Sequence, residues 1–264
     1  NWHPLLPDTL KQMQADGIRR AAAFTTSAFG SYSGCRQYRE DIARAQQASG
    51  TEQMVIEKLP NFCDRPEFIE AMTDRVRAAM AQLSPAERSE AGHLQAERSE
   101  AGHLKAEQLI FTAHSIPLSM ADAPPYVRQL KEASARVASA CGMSNWTLVY
   151  QSRSGPPSQP WLAPDICEYL REQHAAGVRS VIICPIGFMS DHMEVLYDLD
   201  TEARALCDEI GLKMVRAGTA GSHPRLVSMI CDIVLHAQTS EILAHCEPGC
   251  CPAPQRPRPS GAVL

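Results

Sequence analysis

Short apolar runs alternate along this chain with amphipathic stretches of helical length, and that rhythm limits the fold more than any other feature. The runs fall at 20–26, 54–56, 109–113, 147–150, 180–186 and 214–215. Helical patterns occupy 5–17, 65–83, 125–141, 164–176 and 224–243, and a polar turn at 31–38 opens another helix that runs to about residue 50. Strands separated by helices in this way predict an α/β fold whose parallel sheet is covered on both faces. Continuous apolar strands such as Val181-Ile182-Ile183-Cys184-Pro185-Ile186 fit burial on both sides, and 20–26 is expected to be a buried strand of the same kind.

Open parallel sheets bind their ligands beyond the carboxyl ends of the strands, so the residues just after each run carry the functional reading. Gly187 breaks the run 180–186, and Ser190 or Asp191 can then cap a helix. Glu194, Asp198 and Glu202 follow at i, i+4 and i+8. In an α-helix each such step advances about 40° past a full turn, giving one ladder roughly 12 Å long. Stacked like charges destabilise a helix unless a cation sits against them, so the ladder points to a divalent metal or a proton relay as readily as to a solvated face. His114 ends the run Leu109-Ile110-Phe111-Thr112-Ala113, where an imidazole can ligate a metal or accept a proton near neutral pH. Arg153 follows the run 147–150 and can grip a carboxylate with two parallel hydrogen bonds. The three strand ends that lead to His114, Arg153 and Glu194 are expected to converge on one pocket.

The chain carries 10 cysteines. Cys141, Cys167, Cys184, Cys207 and Cys231 stand singly in apolar periodic segments and read as small buried hydrophobes. The tail His245-Cys246-Glu247-Pro248-Gly249-Cys250-Cys251-Pro252 sets three thiols among turn residues, which points to a metal or iron–sulfur centre. A fourth ligand must come from the body, and Cys35 and Cys63 are the two candidates outside the expected core. The segment 86–95 repeats almost letter for letter as 96–105 and reads as a tandem duplication in a surface connection, with His93 and His103 by-products of it. A formal charge of -5 gives no basic excess for nucleic acid. No run is long enough to span a bilayer and no signal peptide is expected, so the cytoplasm is the expected compartment.

Four stretches go further than pattern. They are Asn1-Trp2-His3-Pro4, Phe111-Thr112-Ala113-His114-Ser115-Ile116-Pro117, Tyr150-Gln151-Ser152-Arg153-Ser154-Gly155-Pro156-Pro157 with Pro160-Trp161-Leu162, and residues 187–202. Together they closely resemble ferrochelatases, over nearly the whole chain outside the duplication and the extreme tail. The run Tyr32-Ser33-Gly34-Cys35-Arg36-Gln37-Tyr38 and the thiols Cys246, Cys250 and Cys251 are most similar to the actinobacterial branch.

The resemblance implies two flavodoxin-like chelatase lobes with parallel sheets and a cleft between them. The first lobe would be incomplete, because the family's N-terminal portion is missing before Asn1. Residues 1–107 would be the remainder of that lobe, 108–239 the C-terminal lobe and 240–264 a cysteine-rich extension. It implies insertion of ferrous iron, the metal substrate, into coproporphyrin III with release of two protons. His114 and Glu194 would face the iron across the macrocycle, with Asp198 and Glu202 continuing the acidic path and Tyr38, Ser115 and Arg153 contacting the porphyrin. It implies a [2Fe-2S] cluster on Cys35, Cys246, Cys250 and Cys251, with Cys35 preferred to Cys63 as the fourth ligand, and a monomer with no membrane span. A protoporphyrin chelatase, another tetrapyrrole chelatase, or an inactive haem- or iron–sulfur-binding fragment remain the alternatives at this point.

Overall fold

The computed structural model describes residues 3–83, 107–121, 125–156, 158–239, 251 and 253. In chain order the elements are α1 (Leu6–Ala15), β1 (Arg20–Ala23), a π-helical turn (Tyr32–Arg36), α2 (Gln37–Ser49), β2 (Val55–Lys58) and α3 (Pro66–Met80). They continue with β3 (Glu107–His114), α4 (Leu118–Ala121), α5 (Tyr126–Ala140), β4 (Trp146–Gln151), α6 (Ile166–Ala175) and β5 (Ser180–Cys184). The chain then runs through α7 (Met193–Tyr197), a second π-helical turn (Asp198–Ala203), α8 (Arg204–Ile210), β6 (Lys213–Arg216) and α9 (Pro224–Thr239). The predicted alternation is therefore present.

The strands form two parallel sheets, a pair β1-β2 and a four-stranded sheet ordered β4-β3-β5-β6. The larger sheet is buried on both faces, as its continuous apolar runs require. Successive residues of β3 and β5 point to opposite sides. Leu109, Phe111 and Ala113 join Ile182 and Cys184 in one core, while Ile110 joins Val181 and Ile183 in the other. Helices α3, α5 and α9 cover the first face through Met72, Val76, Leu130, Val137, Met229 and Ile233. Helices α6 and α8 cover the second through Leu170 and Cys207. Helix α3 lies within 1–107 but buries Phe68, Ile69 and Met72 in the same core as β3, so packing runs across the boundary placed at 107.

Three expectations need correction. Strand β1 is not buried: its residues alternate between exposed and half-exposed. Among the described residues its sheet has no third strand, and a small cluster of Leu10, Ala45 and Met54, with half-buried Met13 and Ile56 against it, forms its core. Ser190 and Asp191 do not cap the acidic helix. His192 takes that position without a side-chain bond, and Asp191 pairs with Arg216 instead. The cysteines also differ from expectation. Cys35 and Cys63, placed outside the core on sequence grounds, are buried, and Cys63 belongs to the main core. Cys184 and Cys207 are buried, Cys141 and Cys167 are half-buried, and Cys231 is exposed because α9 turns it outward. The duplication at 86–105 lies outside the described residues, and among those described no helix is long and apolar enough to cross a membrane.

Candidate active site

The register of β3 on β4 sets His114 beside Gln151, so both strands end at the same edge. The apolar run of β3 stops at His114, whose ring is half-exposed. Its Nδ1 lies 2.5 Å from the Ser115 carbonyl oxygen, and a carbonyl only accepts. Nδ1 is therefore the donor, and the neutral ring keeps its lone pair on Nε2. That Nε2 lies 3.8 Å from Oε2 of Glu194, at the start of α7. Behind the ring, the Tyr126 hydroxyl donates to the His114 carbonyl at 3.0 Å. Burial first, and then the charges of Tyr150 and Glu194, push the Tyr126 phenol well up, so it remains a donor.

His114 forms part of the wall of a hollow of about 690 Å³, within the usual size range of small-molecule sites. Tyr32, Tyr38, Trp161, His192 and Gly187 line it as well. Gly187 is there because nothing larger fits: a Cβ would lie 2.6 Å from the Ala113 Cβ and 2.7 Å from its Cα. Ser115 lines the hollow but is 2 % exposed, and its hydroxyl donates to the Leu162 carbonyl at 2.8 Å. It thereby ties the segment bearing Trp161 to the end of β3. Among the described residues no lysine or arginine lines this hollow.

Arg153 lies elsewhere. Ser152 takes a φ of 60° directly after β4, and Arg153 lines a second hollow of about 540 Å³ together with Asp198, Glu202 and Arg171. The structure thus brings Glu194 to His114 and sets Arg153, Asp198 and Glu202 on a second hollow that His114 does not line, so the three strand ends do not share one pocket.

The acidic segment is not a regular ladder either. Helix α7 gives way to the π-helical turn at Asp198, where each turn closes on the fifth residue, and the Thr201 hydroxyl reaches back five residues to the Leu196 carbonyl at 3.2 Å. The carboxylates divide into two sets. Asp200 receives Nε and Nη2 of Arg216 at 2.6 and 2.9 Å, and Asp191 receives its Nη1 at 3.1 Å. Glu194, Asp198 and Glu202 have no arginine or lysine within ion-pair distance among the described residues. Asp198 is held by neutral donors, the Ser152 hydroxyl and Nε2 of Gln151 at 3.3 Å. Among the described residues no three His, Cys, Asp or Glu side chains come together as a metal cage.

Of the tail thiols, Cys246 and Cys250 lie outside the described residues. Cys251 is buried, and Nη1 of Arg36 donates to its carbonyl at 3.4 Å. That bond sets Cys251 beside the π-helical turn that carries Cys35. Cys63 lies by a different hollow with Asp64, Glu132 and Arg136, and burial followed by the Asp64 charge pushes its thiol up to about 12.

Reasoning from sequence missed Gln151 and Ser152, though both stand in the quoted motif beside Arg153. It also missed Arg216, whose position at the end of β6 on the same sheet edge was the available signal. Tyr126 and Arg36 carried none, since their partners are distant in sequence.

Comparison with known proteins adds a family. The ferrochelatase family model matches residues 1–238. A ferrochelatase of Rhodopirellula baltica is 49% identical over 237 residues, covering 89% of this chain and 62% of that protein. A coproporphyrin III ferrochelatase of Streptomyces coelicolor is 42% identical, covering 99% of this chain and 74% of its own length. The same-named protein of Mycolicibacterium smegmatis is 44% identical, with 89% and 65% covered. The chain thus spans less than two thirds of two of these relatives. Among solved structures, the sirohydrochlorin chelatase SirB of Bacillus subtilis subspecies spizizenii with cobalt superposes with a TM-score of 0.53 at 13% identity, covering 91% of this chain and 79% of that one. At that identity the likeness speaks to the chelatase fold alone.

Proposed function

This chain belongs to the ferrochelatase family, and on that premise we propose that it inserts ferrous iron into a porphyrin, with coproporphyrin III as the substrate. The observation that carries the reading is His114. Its Nδ1 donates to a backbone carbonyl, its Nε2 lone pair is free to accept a proton at the wall of the larger hollow, and Glu194 Oε2 stands 3.8 Å from that nitrogen.

Insertion exchanges two pyrrole N–H protons for one divalent metal. His114 Nε2 takes a proton from a pyrrole nitrogen, and the Glu194 carboxylate stabilises the imidazolium that results. Asp198 and Glu202, which have no cationic partner among the described residues, continue the negative path beyond Glu194 and suit a hydrated cation moving inward or protons moving outward. The ring walls Tyr32, Tyr38 and Trp161 suit a flat macrocycle, and hydroxyls of Thr26 and Ser33 offer donors to its carboxylates. Coproporphyrin carries more such carboxylates than protoporphyrin, and the Streptomyces and Mycolicibacterium relatives are named for it.

The test is zinc insertion into coproporphyrin followed by absorbance, with porphyrin binding followed by fluorescence quenching. His114→Ala abolishes insertion and leaves quenching; near-parental turnover in that variant removes His114 from the mechanism. Tighter quenching by protoporphyrin than by coproporphyrin would reverse the substrate.

The same reading gives the tail a [2Fe-2S] cluster held by Cys35, Cys246, Cys250 and Cys251. Support comes from the burial of Cys35 and Cys251 and from Arg36, which seats Cys251 beside the turn of Cys35. Such a group fastens the tail to the body and adds stability, as metal clips do. Cys35→Ser bleaches the visible absorption after anaerobic reconstitution, while Cys63→Ser keeps it; the opposite pattern assigns the ligand to Cys63.

A further inference from the structure

Glu40, in the first turn of α2, accepts a hydrogen bond on each carboxylate oxygen, and its two donors lead to different parts of the molecule. Oε1 receives Nε of Arg36 at 2.8 Å, and Oε2 receives the Tyr32 hydroxyl at 2.9 Å. An Arg–Glu pair four residues apart is by itself a solvated contact of little energy. Here the donors reach further. Tyr32 forms part of the wall of the larger hollow. Arg36 donates from Nη1 to the Cys251 carbonyl, 215 residues along the chain, at 3.4 Å. The two donors stand at the ends of the π-helical turn Tyr32–Arg36, and that turn is pressed against the hollow's wall. A Cβ at Gly34 would overlap Oγ of Ser27 and lie 2.8 Å from the Phe29 carbonyl oxygen, and both residues line the hollow with Tyr32. The Glu40 hydrogen bond raises the Tyr32 phenol above its usual value. The same bond, and then that of Arg36, hold the Glu40 carboxyl below its own. The pair is therefore a neutral phenol donating to an ionised carboxylate.

We infer that Glu40 is a positioning residue for the porphyrin wall and the link between that wall and the tail: one oxygen fixes the Tyr32 ring, and the other fixes the guanidinium that grips the chain at Cys251. The inference deepens the proposed porphyrin site and rests on that reading, without depending on metal insertion. With its single proton committed to Glu40, Tyr32 has no donor for a porphyrin carboxylate and presents its ring instead. A ring tethered at its tip has less freedom to lose when a macrocycle stacks on it. Because the tether and the tail grip share one carboxylate, ordering either end favours the other, and such coupling acts equally in both directions. Porphyrin in the hollow steadies Cys251, and Cys251 seated on Arg36 steadies the hollow.

The test pairs coproporphyrin III fluorescence quenching with hydrogen–deuterium exchange of the peptic peptide that contains Cys251, both on the full chain. It compares the parent with Tyr32→Phe, Arg36→Met, Glu40→Ala, Glu40→Gln and the double variant Tyr32→Phe/Glu40→Ala. Tyr32→Phe and Glu40→Ala each weaken quenching by about fivefold, the effect of one hydrogen bond. The double variant lies within about twofold of either, as a shared partner requires. Glu40→Gln, whose amide oxygen still accepts from Tyr32, recovers part of the loss. In zinc insertion the change appears in KM and leaves kcat, because the tether acts on binding. Coproporphyrin slows exchange at Cys251 by about fivefold in the parent, and the slowing disappears in Glu40→Ala and Arg36→Met. Tyr32→Phe, the mildest change, keeps the comparison open if Glu40→Ala does not fold. Parental quenching in Tyr32→Phe or Glu40→Ala, additive losses in the double variant, or undiminished slowing at Cys251 in Arg36→Met overturns the link. Zinc insertion also separates the two readings. A parent that shows the expected pattern but inserts no zinc keeps the link and loses the metal insertion, whereas a parent that leaves coproporphyrin unquenched loses both.

Discussion

Alanine at position 187 would drive a methyl group into the end of β3. The new Cβ would sit 2.6 Å from the Ala113 Cβ, about 0.8 Å inside the 3.4 Å at which ordinary contact begins, and 2.7 Å from the Ala113 Cα. The second contact is with backbone in a strand paired on both sides, so no flexible side chain can yield. Overpacking of this kind costs about 1–3 kcal/mol. If the loop retreats, the bond from the Gly187 amide to the Thr112 carbonyl at 3.0 Å is lost as well, a further ~1 kcal/mol. A total of about 2–4 kcal/mol lowers the melting temperature of a chain this size by roughly 5–15 °C. Differential scanning calorimetry of Gly187→Ala reads this directly. Because Gly187 lines the larger hollow, coproporphyrin quenching weakens in parallel. Ala113→Gly in the same chain removes the Cβ half of the clash and leaves the Cα half, so the pair recovers part of the loss and the two substitutions are not additive. A melting temperature within about 1 °C of the parent, or strict additivity in the pair, refutes the close-approach argument.

Two further outcomes follow from the charges and thiols. Arg216→Met leaves Asp191 and Asp200 without their cation in a half-buried setting, so urea unfolding shows a loss of about 2–3 kcal/mol with unchanged slope; an unshifted midpoint removes Arg216 as the structural counter-ion. The Cys63 thiol is raised from 9.0 to about 12, so the fold favours its protonated form and that contribution is complete below pH 9 and lost as pH climbs toward 12. The melting temperature therefore falls above pH 9, less steeply in Cys63→Ala, and identical slopes in the two proteins would exclude Cys63 as a contributor.

What the sequence disclosed and what it hid divide along physical lines. The strands β3 and β5 were legible because a strand buried on both faces must be apolar at nearly every position. His114 was legible for a related reason: it is the first polar side chain where such a strand ends. The wide turn at Asp198 was not, because i, i+4 and i+8 spacing is the same string of letters whether the helix closes on the fourth or the fifth residue. The division of the acids was hidden too, since it depends on Arg216, which reaches Asp200 across the sheet edge from β6. Arg153 was read as a wall of the His114 pocket because strand ends share an edge, but the φ of Ser152, a single dihedral, delivers it to the neighbouring hollow. Strand β1 was read as buried from composition alone, and burial is a property of what packs against it.

The turn Asp198–Ala203 has the form of one extra residue within a helix. Leu199 and Ala203, both buried, anchor it to the core, while Thr201 and Glu202 face outward. An α-helix rotates about 100° per residue, so deleting one letter here would let ordinary helical bonding resume and swing Glu202 by about that angle relative to Glu194. Every acidic residue would survive such a deletion, and the identity to its relatives would scarcely change. Yet Glu202 would no longer share the smaller hollow with Asp198. A single alignment gap at this turn therefore re-aims a carboxylate, although it alters no acidic side chain.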